Sequence, residues 1–121
     1  MNPVNWFEIP IVDMTRAKSF YEAVFGLQIS VNQMGQLEMG FIPMDNNAYG
    51  AAGSLVKGEG YMPSHTGTLV YFSVPDMESV IERIKQSGGR ILLPRTSIGE
   101  YGFVAHFEDT EGNKVALHSM K

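Results

Sequence analysis

The chain has 121 residues, a formal net charge of −4 and no cysteine, and 44% of its residues are hydrophobic. These values are typical of one folded domain, and the lack of cysteine excludes disulfides, thiolate metal sites and a cysteine nucleophile. The sequence also has no cluster of basic residues, no leader-like start and no apolar run of about 18 residues, so we expect a cytoplasmic protein that binds neither nucleic acid nor membrane.

The first half of the chain predicts the order βαβββ. Apolar residues alternate with polar ones from Val4 to Val12, which predicts a strand that covers a helix layer with one face. Pro10 lacks an amide hydrogen, which predicts an edge strand or a bulge at this position. Asp13 is placed to cap a helix that Gly26 ends. Three further strands are predicted at Leu27–Val31, Gln36–Pro43 and Gly50–Val56, with a turn at residues 32–35.

The second half predicts the same order after a linker at residues 57–65. A strand at Thr66–Val74 leads to Asp76, a second helix cap, and to a helix that Gly88 and Gly89 close. The remaining strands are predicted at Arg90–Pro94, Gly102–Glu108 and Lys114–Ser119. We therefore predict one α+β domain over residues 1–121, made of a first βαβββ module at 1–57 and a second at 66–121.

The two halves follow one pattern at a fixed spacing. Subtracting Asp13 from Asp76 gives 63, and the same spacing relates Gly26 to Gly89. Repeated units of this size usually bury their apolar faces against each other. The functional site is therefore expected between the halves.

An ordered set of residues across the chain carries a family resemblance. The set is Asp13, Met14, Ala17, Phe20-Tyr21, Phe25-Gly26, Asp76, Gly88-Gly89, Asp109 and Gly112-Asn113. In these residues the chain resembles the vicinal oxygen chelate superfamily, which includes glyoxalase I, bleomycin-resistance proteins and extradiol dioxygenases. The resemblance implies two βαβββ modules curled around one cavity, frequently in a homodimer. It does not choose among the lyases, isomerases, dioxygenases and binding proteins of this superfamily.

The resemblance also implies four metal-ligand positions, and this sequence has no donor at any of them. The first-strand ligand lies seven residues before each capping aspartate, at Trp6 and Leu69. The last-strand ligand of the second module corresponds to Ala116, and the spacing of 63 places its partner at Gly53. Divalent metals need oxygen or nitrogen donors, so no metal cofactor is expected at this site.

Strand alternation predicts which side chains face the cavity. Phe7, Ile9, Ile11, Val70, Phe72, Val74, Val115 and Leu117 are expected to face the helices. The predicted ligand pocket consists of Trp6, Glu8, Gly53, Leu69, Tyr71, His106, Ala116 and His118. A mostly apolar pocket with few polar groups is typical of a site for a small apolar or aromatic molecule.

Two functions remain open at this point. In the first, the protein is a binding module in the manner of the drug-resistance members. In the second, it is a glyoxalase-like lyase or isomerase that uses Glu8 as a general acid or base, although Glu8 can equally be a structural polar residue. A slip of two residues in the strands would bring Glu8 and His118, with His106, to a noncanonical divalent metal site. A homodimer is expected to use apolar residues such as Phe41, Tyr61 and Met62.

Overall fold

The computed structural model describes residues 2–121, with eight strands and two α-helices in the predicted order. In chain order these are β1 (Trp6–Pro10), α1 (Met14–Phe25), β2 (Ser30–Met34), β3 (Leu37–Phe41), β4 (Ala52–Lys57), β5 (Tyr71–Ser73), α2 (Met77–Gln86), β6 (Arg90–Ser97), β7 (Phe103–Glu108) and β8 (Lys114–Ser119). A short 3-10 helix at Gly99–Tyr101 joins β6 to β7. Neither α-helix in the described part of the chain is long and apolar enough to cross a membrane.

Each half of the chain forms its own four-stranded mixed sheet. The strand orders are β1-β4-β3-β2 and β5-β8-β7-β6, so the two sheets have the same topology. Within each sheet the first and last strands of the module are parallel, and the other neighbours are antiparallel. The predicted α+β fold of two βαβββ modules is confirmed. The sheets do not close, because β1 and β5 are both edge strands. The edge position of β1 agrees with the prediction from Pro10, which has no amide hydrogen to donate to a further strand.

The first helix begins and ends as its sequence predicts, and the second does so only in part. The Asp13 carboxylate accepts the amide of Arg16 at 3.1 Å, and Gly26 ends α1 in the left-handed conformation at φ 66°. Asp76 occupies the N-cap position of α2, as predicted, but its side chain makes no capping hydrogen bond. Instead, the Ser79 hydroxyl donates to the Asp76 carbonyl at 3.0 Å.

Several strand boundaries differ from the prediction. Strand β2 covers Ser30–Met34, where the sequence predicted the end of a strand and a turn. All five residues of β2 are exposed, so this edge strand is held by backbone pairing and has no buried alternation to reveal it. Strand β5 is only three residues long, whereas β6 continues past Pro94 along the opposite edge with register shifts.

The register of the sheets corrects the predicted position of Gly53. Glu8 pairs with Ser54 in the first module, and Tyr71 pairs with Ala116 in the second. Since Tyr71 is related to Glu8 by the spacing of 63, Ser54 is the counterpart of Ala116 and the spacing falls to 62 in the last strands. Gly53 therefore faces the helix side, where an added Cβ would lie 2.7 Å from the ring of Phe7.

The two modules pack against each other within one chain. Helix α1 contacts α2, and the ring of Phe72 in the second module stacks on Phe25 of the first at a centroid distance of 4.4 Å. Phe7 meets the same Phe72 ring edge-on at 5.7 Å. The helix-facing alternation is confirmed for Ile9, Ile11, Val74, Val115 and Leu117, which are all buried in one core shared by the modules. Phe7 and Phe72 are partly buried against this core, whereas Val70 lies outside it, on the cavity wall.

A polar turn of the second module docks on the start of α1. This turn, residues 109–113, carries Glu111, whose side chain has no exposed surface. The Glu111 carboxylate accepts the amides of Val12 and Asp13 at 2.8 and 2.7 Å. It also receives the Nε of Arg16 at 2.7 Å. The Thr110 hydroxyl of the same turn donates to it as well, at 3.0 Å. The carboxylate thus replaces its lost hydration with donors that, apart from Thr110, belong to the other module.

Two further side chains extend this contact. The buried Tyr21 hydroxyl donates to the Asp109 carboxylate at 2.6 Å, and the Asn113 amide donates to the Pro10 carbonyl at 2.7 Å. Burial, and then the charge of Asp109, raise the pKa of Tyr21 well above its ordinary value. Tyr21 therefore remains a hydrogen-bond donor across the physiological pH range.

The hydrogen bonds around Glu111 make this contact sensitive to acid. Burial disfavours the charged carboxylate, but the donors from Arg16 and the two backbone amides outweigh it, so the pKa of Glu111 is lowered. A lowered pKa in the folded state stabilises the protein above the ordinary glutamate value of about 4.3. This contribution is lost as the pH falls through the pKa of the folded state.

Replacing Glu111 tests this contact. We expect Glu111→Gln to lower the free energy of unfolding at pH 7 by roughly 1–3 kcal/mol, because the amide cannot accept from both backbone amides and Arg16. The difference from the wild type should shrink as the pH falls below about 4. Urea unfolding followed by circular dichroism over this pH range measures both effects.

Glu82→Gln provides the matched control. Glu82 pairs with Lys85 at 3.6 Å and its side chain is 63% exposed, so its loss should change stability by less than about 0.5 kcal/mol. An equal effect of the two substitutions, or a Glu111→Gln difference that does not depend on pH, would contradict the role of the buried carboxylate.

Neighbouring residues on β4 test the register. We expect Gly53→Ala to cost about 1–3 kcal/mol of stability, because the new Cβ would meet the carbonyl oxygen of Phe7 at 2.5 Å. Ser54→Ala should be neutral or stabilising, because the buried Ser54 hydroxyl has no hydrogen-bond partner among the described residues. Thermal unfolding of both variants decides the point, and the reverse order of stability would show that the two faces have been exchanged.

Candidate functional site

A cavity of about 880 Å³ lies between the two modules. Strands β1 and β5 form two of its walls, and the ends of α1 and α2 and the β3–β4 connection form the others. Its aromatic lining comes from Trp6, Phe7, Phe25, Tyr49, Tyr71 and Phe72. The volume lies within the range of small-molecule sites, roughly 300–1,000 Å³.

A difference between the two halves places this cavity. The connection between β7 and β8, residues 109–113, is short and docks on the first module through Glu111. The corresponding connection of the first module, residues 42–51, is twice as long and lines the cavity with Ile42 and Tyr49. Val74 and Pro75 of the second module lie on the same cavity. The short turn at residues 109–113 thus closes one side of the contact between the modules, whereas the longer connection at residues 42–51 leaves the other side open.

Four of the predicted pocket residues lie together on this cavity: Trp6, Glu8, Leu69 and Tyr71. Trp6 is half-buried with its ring 6.1 Å from that of Phe41. Glu8 is exposed rather than enclosed, and its carboxylate accepts from the Tyr61 hydroxyl at 3.4 Å. Because β1 and β5 are not paired to each other, the cavity reaches both faces of these strands.

The other four predicted residues do not line it. Ala116 is fully buried, and Gly53 lies on the helix side of β4. The Nε2 of His118 lies 2.7 Å from the carbonyl oxygen of Tyr101 and donates to it. His106 lies behind the cavity wall, with its Nε2 3.4 Å from the Tyr71 hydroxyl. Burial, and then the charge of Lys114, lower the pKa of His106, so this imidazole is neutral near pH 7.

The helix side of the site was not predicted from the sequence. Phe25, Phe72, Val80 and Arg83 line the cavity, although alternation and helix periodicity predict the apolar ones as core residues. The Nε of Arg83 donates to the carbonyl oxygen of Val24 at 2.9 Å, which holds the guanidinium at the end of α1. One feature of the sequence could have indicated the open side: the connection between the last two strands is longer in the first module than in the second.

The residues present do not suit a divalent metal at the usual positions. Trp6, Leu69 and Ala116 offer no metal donor, and the register places the neutral hydroxyl of Ser54 at the fourth position. Over residues 2–121, no three histidine, aspartate or glutamate side chains converge in a way that could hold an ion. The predicted absence of a metal cofactor stays a prediction, and no chemical step is assigned to a metal.

Known proteins share both the sequence pattern and the fold. "Putative glyoxylase CFP32" of Mycobacterium bovis is 28% identical over 93% of this chain, which spans only 44% of that relative. A "Glyoxylase-like domain-containing protein" of Didymella fabae is 28% identical over 94% of this chain and 91% of its own length. The solved glyoxylase/bleomycin resistance protein/dioxygenase domain from Frankia sp. EAN1pec superposes with a TM-score of 0.77 at 13% identity, over 100% of this chain and 99% of that one.

A family model matches nearly the whole chain. It covers residues 4–117, which include both modules, the docking turn and every wall of the cavity. The predicted family is confirmed: the chain belongs to the Glyoxalase/Bleomycin resistance protein/Dioxygenase superfamily.

Proposed function

We propose that this protein binds a small apolar or aromatic molecule in the cavity between its modules. The observation that carries the proposal is the cavity itself, about 880 Å³ in volume and walled by six aromatic side chains. Large aromatic surfaces supply most of the favourable free energy of binding in such sites, and a few polar groups fix the orientation of the ligand.

The aromatic side chains of the cavity wall are already ordered in positions that suit a planar ligand. Phe25 and Phe72 stack at 4.4 Å with 22° between their planes, and Phe7 braces Phe72 edge-on. These rings are held by the shared core, so a ligand would not have to order them on binding. Trp6 faces the same cavity from the other side of β1 and offers a further stacking surface.

Polar groups at the rim supply orientation. The Tyr71 hydroxyl lies 3.4 Å from the Nε2 of His106, and a neutral imidazole can accept a hydrogen bond from this hydroxyl. This leaves the lone pairs of the phenol oxygen for a donor on the ligand. The Glu8 carboxylate, on the β1 wall, can accept a second hydrogen bond from the ligand.

A lyase or isomerase is the second candidate, and the position of Glu8 favours it. Glu8 lies on the cavity wall, which is where a general acid or base would have to be to exchange a proton with a bound molecule. Its carboxylate also accepts a hydrogen bond from the Tyr61 hydroxyl. The names of two relatives refer to glyoxylases. In this case Glu8 would act either without a metal or with a divalent ion at a noncanonical site.

We also propose a homodimer that covers the mouth of the cavity. Val4, Met44 and Tyr49 are 63%, 64% and 103% exposed, and they lie on adjoining openings at this mouth. Met62, expected at the interface from the sequence, is 80% exposed, whereas Phe41 and Tyr61 are half-buried within the chain. Exposed apolar groups of this kind are frequent at subunit contacts.

The chain's single tryptophan makes ligand binding measurable, since Trp6 lies on the cavity wall. We expect the neutral fluorescent probe N-phenyl-1-naphthylamine to quench Trp6 in a saturable manner. Leu69→Asp should weaken this binding by at least about tenfold, because a carboxylate replaces apolar surface on the cavity wall.

Leu92→Asp is the matched control for that titration. Leu92 is half-buried on the edge strand β6 and does not lie on the cavity, so the same substitution should leave probe affinity unchanged. If Trp6 is not quenched in the wild type, or if both substitutions weaken binding equally, the cavity is not the binding site.

The metal content of protein purified without chelators separates the two candidates. Under the binding proposal we expect no stoichiometric divalent ion by mass spectrometry, and Glu8→Gln should retain affinity for the neutral probe. A stoichiometric ion that is lost in Glu8→Gln or His118→Ala would overturn the metal-free proposal and favour the lyase or isomerase.

A further inference from the structure

We infer that the preferred ligand carries a carboxylate, bound by Arg83 at the helix end of the cavity beside an apolar or aromatic body. This inference rests on the proposed binding function and narrows its ligand to a chemical class. The observation behind it is a positioned guanidinium that borders the cavity and has no acidic partner.

Arg83 is positioned by the two helices. It lies on α2, and its Nε donates to the Val24 carbonyl near the end of α1 at 2.9 Å. This bond uses the Nε–H, one of the five N–H donors of the guanidinium, so the donors of the terminal nitrogens remain available. The bond holds the planar group beside the cavity at a fixed place, which reduces the entropy that a ligand would have to overcome.

The protein supplies no counter-charge for this group. Ion pairs within residues 2–121 involve Arg16, Lys18, His65, Lys85 and Arg90, but not Arg83. The residues one turn away on α2 and just beyond it are Ser79, Val80, Gln86 and Ser87, none of which is acidic. An arginine in this setting is suited to a bidentate hydrogen bond with a carboxylate.

The rest of the lining determines how the ligand would lie. Phe25, Phe72 and Val80 line the same side of the cavity as Arg83 and would contact the apolar body. Among residues 2–121, Glu8 is the only other charged residue that lines the cavity. It alternates with Phe7 on β1, and Phe7 faces the helices, so the Glu8 carboxylate projects on the opposite side of the strand from Arg83. An anion is therefore favoured at the helix end of the cavity, beside Arg83, and disfavoured at the opposite end, beside Glu8.

A pair of isosteric probes tests this assignment. We expect 2-naphthoate to displace N-phenyl-1-naphthylamine from the wild type at a concentration about tenfold lower than 2-naphthamide, the gain expected for a charge-assisted hydrogen-bonded pair near solvent. Arg83→Met should abolish this preference, so that the two probes displace N-phenyl-1-naphthylamine at the same concentration. Arg83→Lys should keep part of it, since an ammonium retains the charge but not the planar fork.

Lys85→Met is the matched control, because it removes one positive charge from the same helix at a residue that does not line the cavity. It should retain the full preference for 2-naphthoate. Equal affinity of the wild type for the two probes, or a preference that survives Arg83→Met, would show that Arg83 only joins the two helices and would overturn the inference. If Arg83→Met does not fold, the salt dependence of the wild type provides the test. Its preference for 2-naphthoate over 2-naphthamide should decrease at high salt, and a preference that does not depend on salt would also overturn the inference. Failure of N-phenyl-1-naphthylamine itself to bind would instead reject the proposed function.

Discussion

The buried carboxylate of Glu111 is the interaction on which the arrangement of the two modules depends. A charge without contact to water is tolerated only where donors replace its hydration, and here these donors include the amides of Val12 and Asp13 and the guanidinium of Arg16. All three belong to the other module. Apolar packing between α1 and α2 is not directional, whereas these hydrogen bonds fix where β1 ends and α1 begins relative to the second sheet.

From this contact follows the position of the cavity. The chain repeats its helices and strands, but it does not repeat the connection between the last two strands of each module. The short turn around Glu111 is drawn onto the first module, and the longer connection through Tyr49 lines an opening instead. A ligand site therefore arises from the asymmetry of a duplicated fold. The same asymmetry leaves Arg83 beside an open cavity, and no ion pair in the described part of the chain includes it.

Local signals predicted much of this fold because they act within a few residues. The capping carboxylate of Asp13 and the left-handed Gly26 mark the ends of α1 in both sequence and structure. Strand β2 has no buried face, so no alternation revealed its true register. The one-residue slip at Gly53 could not be seen, because strand pairing and not sequence spacing sets the face of a residue. Trp6 and Tyr71 were predicted for the site, but Phe72 was not, since its alternation is that of a core residue and only the gap between the sheets exposes it.

Native-state hydrogen exchange tests the central claim most directly, because it reports on the amides that Glu111 accepts. Val12 and Asp13 lie at an exposed junction of strand and helix, where amides usually exchange quickly. If the docked turn fixes the modules, both amides should exchange only through global unfolding, while the amide of Asp76, at the corresponding junction of the second module and without an acceptor among the described residues, should exchange rapidly. Equally rapid exchange at Val12, Asp13 and Asp76 would contradict the account.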